Sequence, residues 1–203
     1  MKADCWNCGS AVPGRFCAQC KALQPPASDY FDFFELPRSL AIDAKDLEKR
    51  FYSLSRQLHP DLFSRKSPRE REYSLEATAV LNDAYRTLRD PIARAMYVLK
   101  REGFDIGEQS TKDVPPELLE EVFELNMALE ELKSGDDDAA AQIESARQRF
   151  EGMRAEMDRE IEASFAAWDA GHDRAGLNEV RRLLNHRKYV TNLIEKANVP
   201  DRV

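Results

Sequence analysis

No stretch of the 203 residues approaches the roughly 18 consecutive apolar side chains of a membrane-spanning helix. The first residues, Met1, Lys2, Ala3, Asp4 and Cys5, have neither the apolar core of a signal peptide nor the arginines of a transit peptide. A cytosolic or cytosol-like compartment is therefore expected, with no membrane partner. Glycine is scarce at 8 residues and proline stands at 10, whereas a many-stranded β protein would spend more of both on turns. No glycine-rich loop could cradle a phosphate, which argues against nucleotide chemistry. Cysteine is limited to 4 residues, all within the first twenty, so it cannot cross-link the whole fold. Of the three histidines, His172 and His186 have no Ser, Cys or carboxylate pattern around them that a nucleophile or metal site would need, and both are expected at the surface. Charged side chains at 33% and hydrophobic ones at 42% leave room for a core and for one or two domains.

Charge is unevenly spread. Residues 1–103 carry 17 Lys/Arg against 14 Asp/Glu, and residues 104–203 carry 13 against 23. A mildly basic front and an acidic back point to two modules.

Cys5, Cys8, Cys17 and Cys20 form two Cys-x-x-Cys pairs, followed by a hinge at Pro25 and Pro26. Each pair can place two thiolates on one ion from a short loop, and two pairs close a tetrahedron around Zn²⁺ with no open position. The expectation is one structural zinc per chain in a small, separately folded knob over residues 1–26. Gly9 serves the tight turn after Cys8. Disulfides or thiol exchange are the alternative, and a reducing compartment disfavours them.

From Asp29 to Gly103 the pattern is helical. Tyr30, Phe31, Phe33, Phe34 and Leu36 make a short apolar helix that Pro37 is expected to end. Asp43 caps a second helix whose Leu47, Phe51, Leu54 and Leu58 share one face. Across from them Lys45, Lys49, Tyr52 and Arg56 form a basic stripe, for which a solvated face is the ordinary explanation. His59-Pro60-Asp61 and a charged loop follow. Ser67, Pro68 and Glu70 then open a third helix with a capping box, its inward face Ala77, Leu81, Ala84 and Leu88. After Asp90-Pro91, Ile92, Met96 and Leu99 share a face, and Gly103 is the stop.

Beyond a Pro115-Pro116 break, Leu118, Val122, Leu125, Leu129 and Leu132 form one seam. Ile143, Ala146, Phe150, Met153 and Met157 form a second that continues through Ile161, Phe165 and Trp168; Leu177, Val180, Leu184 and Ile194 form a third. Short connections at 134–138 and 170–173 make antiparallel neighbours, hence a three-helix bundle. Leu119 and Phe123 lie beside the first seam, flanked by Glu120 and Glu124.

A short apolar helix, a basic-striped helix ending in His-Pro-Asp, a charged loop and a return helix together resemble a J-domain. The stretches Leu58 to Phe63, Leu81 to Leu88, Pro91 to Ala95, Tyr97 to Leu99 and Gly103 to Asp105 are similar to those of the HscB (Hsc20/Jac-type) iron-sulfur co-chaperones. The resemblance spans Tyr30 to about Lys196, and the cysteine pairs resemble the metal-binding extension of some members. It implies an all-α chain with a J-domain over 27–104 and a scaffold-binding bundle over 105–203. It also implies a non-enzymatic co-chaperone. His59, Pro60 and Asp61 would activate a DnaK/HscA-type ATPase, with Lys45, Lys49 and Arg56 docking it. Leu119, Phe123, Glu124 and Tyr189, the last with Val190, would hold an IscU-type iron-sulfur scaffold protein. The chain departs from the family's pattern at Glu120, Asn126 and Met127. A bacterial-type cytoplasmic protein is implied, or an organellar one whose transit peptide has been removed.

Two other readings stay open on the sequence. One is a J-protein built for another client. A zinc knob beside a basic helix could also serve nucleic acid, but the near-neutral front and acidic back predict weak, salt-labile binding, so no nucleic-acid partner is expected.

Overall fold

The computed structural model describes residues 4–12, 14–104, 116–136 and 138–198. Asp105 and Pro115, and with them the expected junction at 104–105, lie outside the described residues. Two compact units make up the chain, Met1–Arg94 and Ala95–Val203. Apart from two isolated bridges, Asp4 with Ala11 and Phe16 with Leu23, the regular structure among the described residues is helical, so the fold is all-α.

In the first unit, α1 (Tyr30–Phe34) begins where Asp29 Oδ1 accepts from the backbone N–H groups of Phe31 and Asp32. It ends three residues before the proline expected to stop it. Glu35 turns left-handed at φ +54°, which lets Leu36 N–H reach Phe31 C=O at 2.9 Å, the six-to-one bond of a Schellman close. The Arg50 guanidinium, steadied by Asp46, donates to the Phe34 and Glu35 carbonyls and ties α1 to α2 (Ala44–Leu58). Asp43 caps α2 as expected. What was read as a charged loop contains a further short helix, α3 (Pro60–Phe63). Next comes α4 (Pro68–Arg89), with the full Ser67–Glu70 capping box. Phe31, Phe34, Leu40, Leu47, Leu58, Leu81 and Leu88 are fully buried in this unit.

The following helix, α5 (Pro91–Arg101), corrects one expected face. Ala95, Val98 and Leu99 are buried, while Met96 is 44% exposed. The cause is Arg94, which turns inward and donates from Nε to the Leu40 carbonyl at 2.8 Å and from a terminal nitrogen to the Leu88 carbonyl. Rotating the helix to serve those two carbonyls carries Met96 outward. Gly103 closes α5 through bonds from Gly103 N–H to Lys100 and Phe104 N–H to Leu99.

The second unit contains the three-helix bundle: α6 (Leu119–Lys133, preceded by a 3₁₀ turn at Pro116–Leu118), α7 (Asp138–Gly171) and α8 (Arg174–Asn198). Its core joins Leu118, Leu125 and Ala128 to Ile143, Ala146 and Phe150 of α7 and to Val190, Leu193 and Ile194 of α8. At 34 residues α7 is more than twice as long as the 15-residue α6, so α6 covers one end of the α7–α8 hairpin. Toward the hairpin's turn Ile161, Phe165 and Trp168 are buried on α7, and Leu177, Val180 and Leu183 on α8. The turn itself is tight: Gly171 ends α7 and His172 takes φ +49°. Gly176 gives room there, since a Cβ would meet Trp168 Cδ1 at 3.3 Å. His172 is exposed, with its ring edge-on to Trp168; His186, expected at the surface, is half-buried with Nε2 out of solvent.

Arg94→Met should remove the donor that serves the Leu40 and Leu88 carbonyls, at a cost of about 1–3 kcal/mol. The expected outcome is a first unit that melts several degrees lower with unchanged helix content at 20 °C, measured by thermal denaturation followed by circular dichroism.

Candidate functional site

Three groups of side chains stand out. The first is the cysteine cluster. Its two loops repeat one geometry: Gly9 N–H bonds Cys5 C=O and Cys5 N–H bonds Ser10 C=O, just as Lys21 N–H bonds Cys17 C=O and Cys17 N–H bonds Ala22 C=O. Gly9 is left-handed at φ +74° as its role requires, and Lys21 takes the equivalent φ +61° without being glycine. The folded loops put all four Sγ atoms within 4.8 Å of one another. Cys5 and Cys20 are 3.6 Å apart, as are Cys8 and Cys17. A disulfide needs about 2.05 Å, whereas four sulfurs at about 2.3 Å around one ion define tetrahedral edges of about 3.8 Å. The arrangement fits a metal ion held by four thiolates. Burial pushes the Cys5 thiol up, but hydrogen bonds from the Asn7 and Cys8 backbone and from Cys20 outweigh it and bring it down to about 6, which favours the metal-ligating form.

This knob was read as separately folded, but in the structure it rests on the helices of its own unit. The Trp6 indole donates to Leu23 C=O at 2.7 Å and meets the Tyr73 ring edge-on, with Arg69 over its face. The Arg15 guanidinium donates to Phe33 C=O and to the Glu35 carboxylate. Cysteine spacing carries no signal for these contacts.

The second group is the corner between α2 and α3. His59 closes α2 and caps α3: its Nδ1 accepts from Asp61 N–H at 3.3 Å. The His59 and Asp61 side chains are 54% and 89% exposed. Phe63, buried, anchors the short helix from beneath, while Leu62 stands exposed. Lys45, Lys49, Tyr52 and Arg56 are all exposed along α2, opposite the buried Leu47, Leu54 and Leu58. Phe51, expected in that buried face, is half-buried and stacks on Tyr85 at 4.2 Å. One residue of this corner escaped the sequence reading. Ser74, fully buried on α4, donates from Oγ to the Leu58 carbonyl at 2.7 Å and fixes the end of α2. Its signal was present as a lone hydroxyl in register with Ala77, Leu81 and Ala84.

The third group lies on α6. Leu119 and Phe123 are 55% and 64% exposed, and Met127, four residues on, continues their line at 47%. On the sequence alone Met127 marks only a departure from the family pattern. Glu124 is ion-paired with Arg149 of α7 at 3.0 Å, and Asn126 accepts from Lys196 of α8. A groove of about 510 Å³ runs beside them, lined by Glu124, Met127, Glu131, Gln142 and Arg149. Tyr189 is half-buried on α8 against the bundle core, and burial pushes its phenol up. Val190, grouped with it on the sequence, is fully buried and belongs to the core.

Comparison with known proteins adds the following. Residues 29–97 match the DnaJ domain, and residues 114–198 match the HscB C-terminal oligomerisation domain. The human iron-sulfur cluster co-chaperone protein HscB is 34% identical over 199 residues, covering 95% of this chain and 80% of that protein. The crystal structure of human co-chaperone protein HscB superposes with a TM-score of 0.74 at 31% identity, covering 96% of each chain. The chaperone HscB from Vibrio cholerae superposes with a TM-score of 0.58 at 25% identity over 83% of this chain and 94% of that one.

Ser74→Ala should leave the buried Leu58 carbonyl with only the longer 3.5 Å contact from Thr78. The expected loss is about 1–3 kcal/mol of stability in the first unit, and hydrogen exchange should show faster opening at the end of α2. Ser74→Thr, which keeps the hydroxyl, should recover part of both.

Proposed function

The chain belongs to the HscB co-chaperone family, and from that premise we propose that it stimulates the ATPase of a DnaK/HscA-type chaperone and brings to it an IscU-type scaffold protein carrying an iron-sulfur cluster. The observation that carries this reading is the corner at His59. A half-exposed histidine, an exposed carboxylate at Asp61 and a proline between them sit at the end of an exposed basic stripe, on a turn held from beneath by Ser74 and Phe63. Lys45, Lys49 and Arg56 steer and dock an acidic face of the chaperone. His59, Pro60 and Asp61 then engage it as a rigid element whose backbone loses little freedom on binding.

The scaffold is held on α6. Leu119 and Phe123 offer apolar surface that a partner would desolvate, and Met127 lengthens the patch by one turn. Glu124, braced by Arg149, presents charge at the rim, and Tyr189 is the more buried, flanking member. Two contacts on one chain raise the effective concentration of scaffold at chaperone; the cluster itself is cargo. Cys5, Cys8, Cys17 and Cys20 hold one zinc per chain. With every ligand position filled by thiolate, the ion supplies folding energy to the knob and no chemistry. Among the described residues no helix is long and apolar enough to cross a membrane, and the proposed setting is cytoplasmic.

The test is the chaperone's ATPase rate with this protein and scaffold added separately and together, where synergy is expected and additive rates would overturn the joint role. His59→Gln should abolish stimulation while leaving helix content and scaffold binding unchanged, because the side chain is half exposed and contributes little to packing. Retention of wild-type stimulation would refute the role assigned to the corner.

Leu119→Ala combined with Phe123→Ala should weaken scaffold binding about tenfold or more, since burying each side chain offers up to about 1.5–3 kcal/mol. Stimulation by the protein without scaffold should be unaffected. A double variant that binds scaffold normally would place the client elsewhere.

A further inference from the structure

The two anchors of the knob lead somewhere. Few side chains are buried in the segment from Asp4 to Gln24, chiefly Cys5, Cys17, Ala22, Leu23 and Gln24. A piece of chain this short has too little core to hold its shape alone, so whatever gathers the four sulfurs also sets where Trp6 and Arg15 stand. Trp6 is locked to the exit of the second loop by its bond to Leu23 C=O, and its ring meets the first turns of α4. The Arg69 guanidinium lies 4.9 Å from the Trp6 centroid and 5.7 Å from that of Tyr73, and Arg69 Nε donates to the Tyr73 hydroxyl at 3.0 Å. The residue after Tyr73 is Ser74, whose hydroxyl holds the Leu58 carbonyl beside His59. Arg15 clamps the other contact point, donating to Phe33 C=O and pairing with the left-handed Glu35 at the end of α1. Near Arg15 a cleft of about 290 Å³ separates knob from helices, lined by Arg15, Gln24, Pro25, Phe33, Leu58 and Ala77. Beside that cleft, Trp6 and Arg15 are the knob's polar and aromatic anchors to the helices.

We propose that metal occupancy of the tetracysteine knob sets the stability of the turn end of the α2–α4 hairpin, where α4 begins, and so the rigidity of the His59 corner, through Trp6 on Arg69 and Tyr73 and through Arg15 on the end of α1. This rests on the reading of the knob as a metal site. Metal loss frees both anchors; α4 then opens more often over its first turns, and the Ser74 bond to Leu58 breaks with it. Aromatic and cation–π contacts of this kind shift an opening equilibrium by up to about tenfold each.

The experiment is amide hydrogen exchange by mass spectrometry on the full chain, as purified with Zn²⁺ and after chelation under reducing conditions, with metal content measured on both samples. On removal of zinc the amides of Arg71 to Ala77 and of Phe33 to Leu36 should exchange about tenfold faster, while those of α6 to α8 hold their rates. Arg69→Ala, which lies outside the knob and leaves the thiols intact, should accelerate the α4 amides with zinc still bound and blunt their further response to chelation. If zinc leaves and the α4 amides do not change, the coupling is overturned and the metal site stands. If the purified protein carries no metal, the metal reading fails and the coupling with it. Equal acceleration throughout α6 to α8 would also overturn the proposal, since the effect would then not pass through these anchors.

Discussion

A helix that stops inside a packed unit leaves carbonyls that no later N–H can reach, and in this protein the whole presentation of the corner turns on one of them. Proline at position 60 disfavours helical backbone at His59 and has no N–H to offer the preceding turn, so α2 ends at Leu58, a residue only 1% exposed. Its carbonyl would be an unsatisfied acceptor in an apolar setting were it not for Ser74 Oγ at 2.7 Å, with Thr78 Oγ1 at 3.5 Å beside it. The same bond determines where α4 stands against α2. With Leu58 fixed at one end and Phe63 buried at the other, the few residues between them have nowhere to fold but outward. That is how His59 and Asp61 can be held in place while still facing solvent.

The second unit solves a different problem. Its long hairpin needs α6 at one end only, and a helix that packs on one face leaves the neighbouring face to solvent. Leu118, Leu125 and Ala128 face the core; one position further round stand Leu119 and Phe123, and Met127 extends their line. An apolar line of three large side chains on a solvent-facing helix is expensive to keep unless something covers it. The polar residues near it are tied down, Glu124 by Arg149 and Asn126 by Lys196, which keeps the rim in place. Such exposed pairs contribute little stability individually; their consequence is positional.

What the sequence made legible follows from how local each signal is. The Asp43 cap, the Ser67–Glu70 box, the α6 to α8 seams and the gathering of four cysteines all depend on residues within a turn or two of each other, and each is found as expected. The misread features depend on contacts made across the fold. Glu35 ends α1 ahead of Pro37 in a setting where Arg15 and Arg50 hold the left-handed turn, and both come from other segments. Met96 points outward because Arg94 must serve Leu40 and Leu88. Val190 and Tyr189 are adjacent in sequence, yet a helical step of about 100° sends one into the core and leaves the other at its edge. Trp6 on Tyr73 joins segments that no spacing rule relates.

The two candidate surfaces also differ in the physics that would hold a partner on them. Along α2 the attraction comes from Lys45, Lys49 and Arg56, all exposed; beyond about 8 Å at physiological ionic strength it is screened, so it governs how fast and in what orientation a partner arrives more than how long it stays. Duration must come from the corner, where His59 and Asp61 offer directional hydrogen bonds from a fixed backbone. On α6 the order is reversed. The second half of the chain carries 13 Lys/Arg against 23 Asp/Glu, which gives only a diffuse preference for a basic partner, and persistence comes from burying Leu119, Phe123 and Met127, which salt does not weaken. On the proposed reading the chain would meet the chaperone through screened charge and the scaffold through apolar burial, so raised salt would weaken the first contact far more than the second.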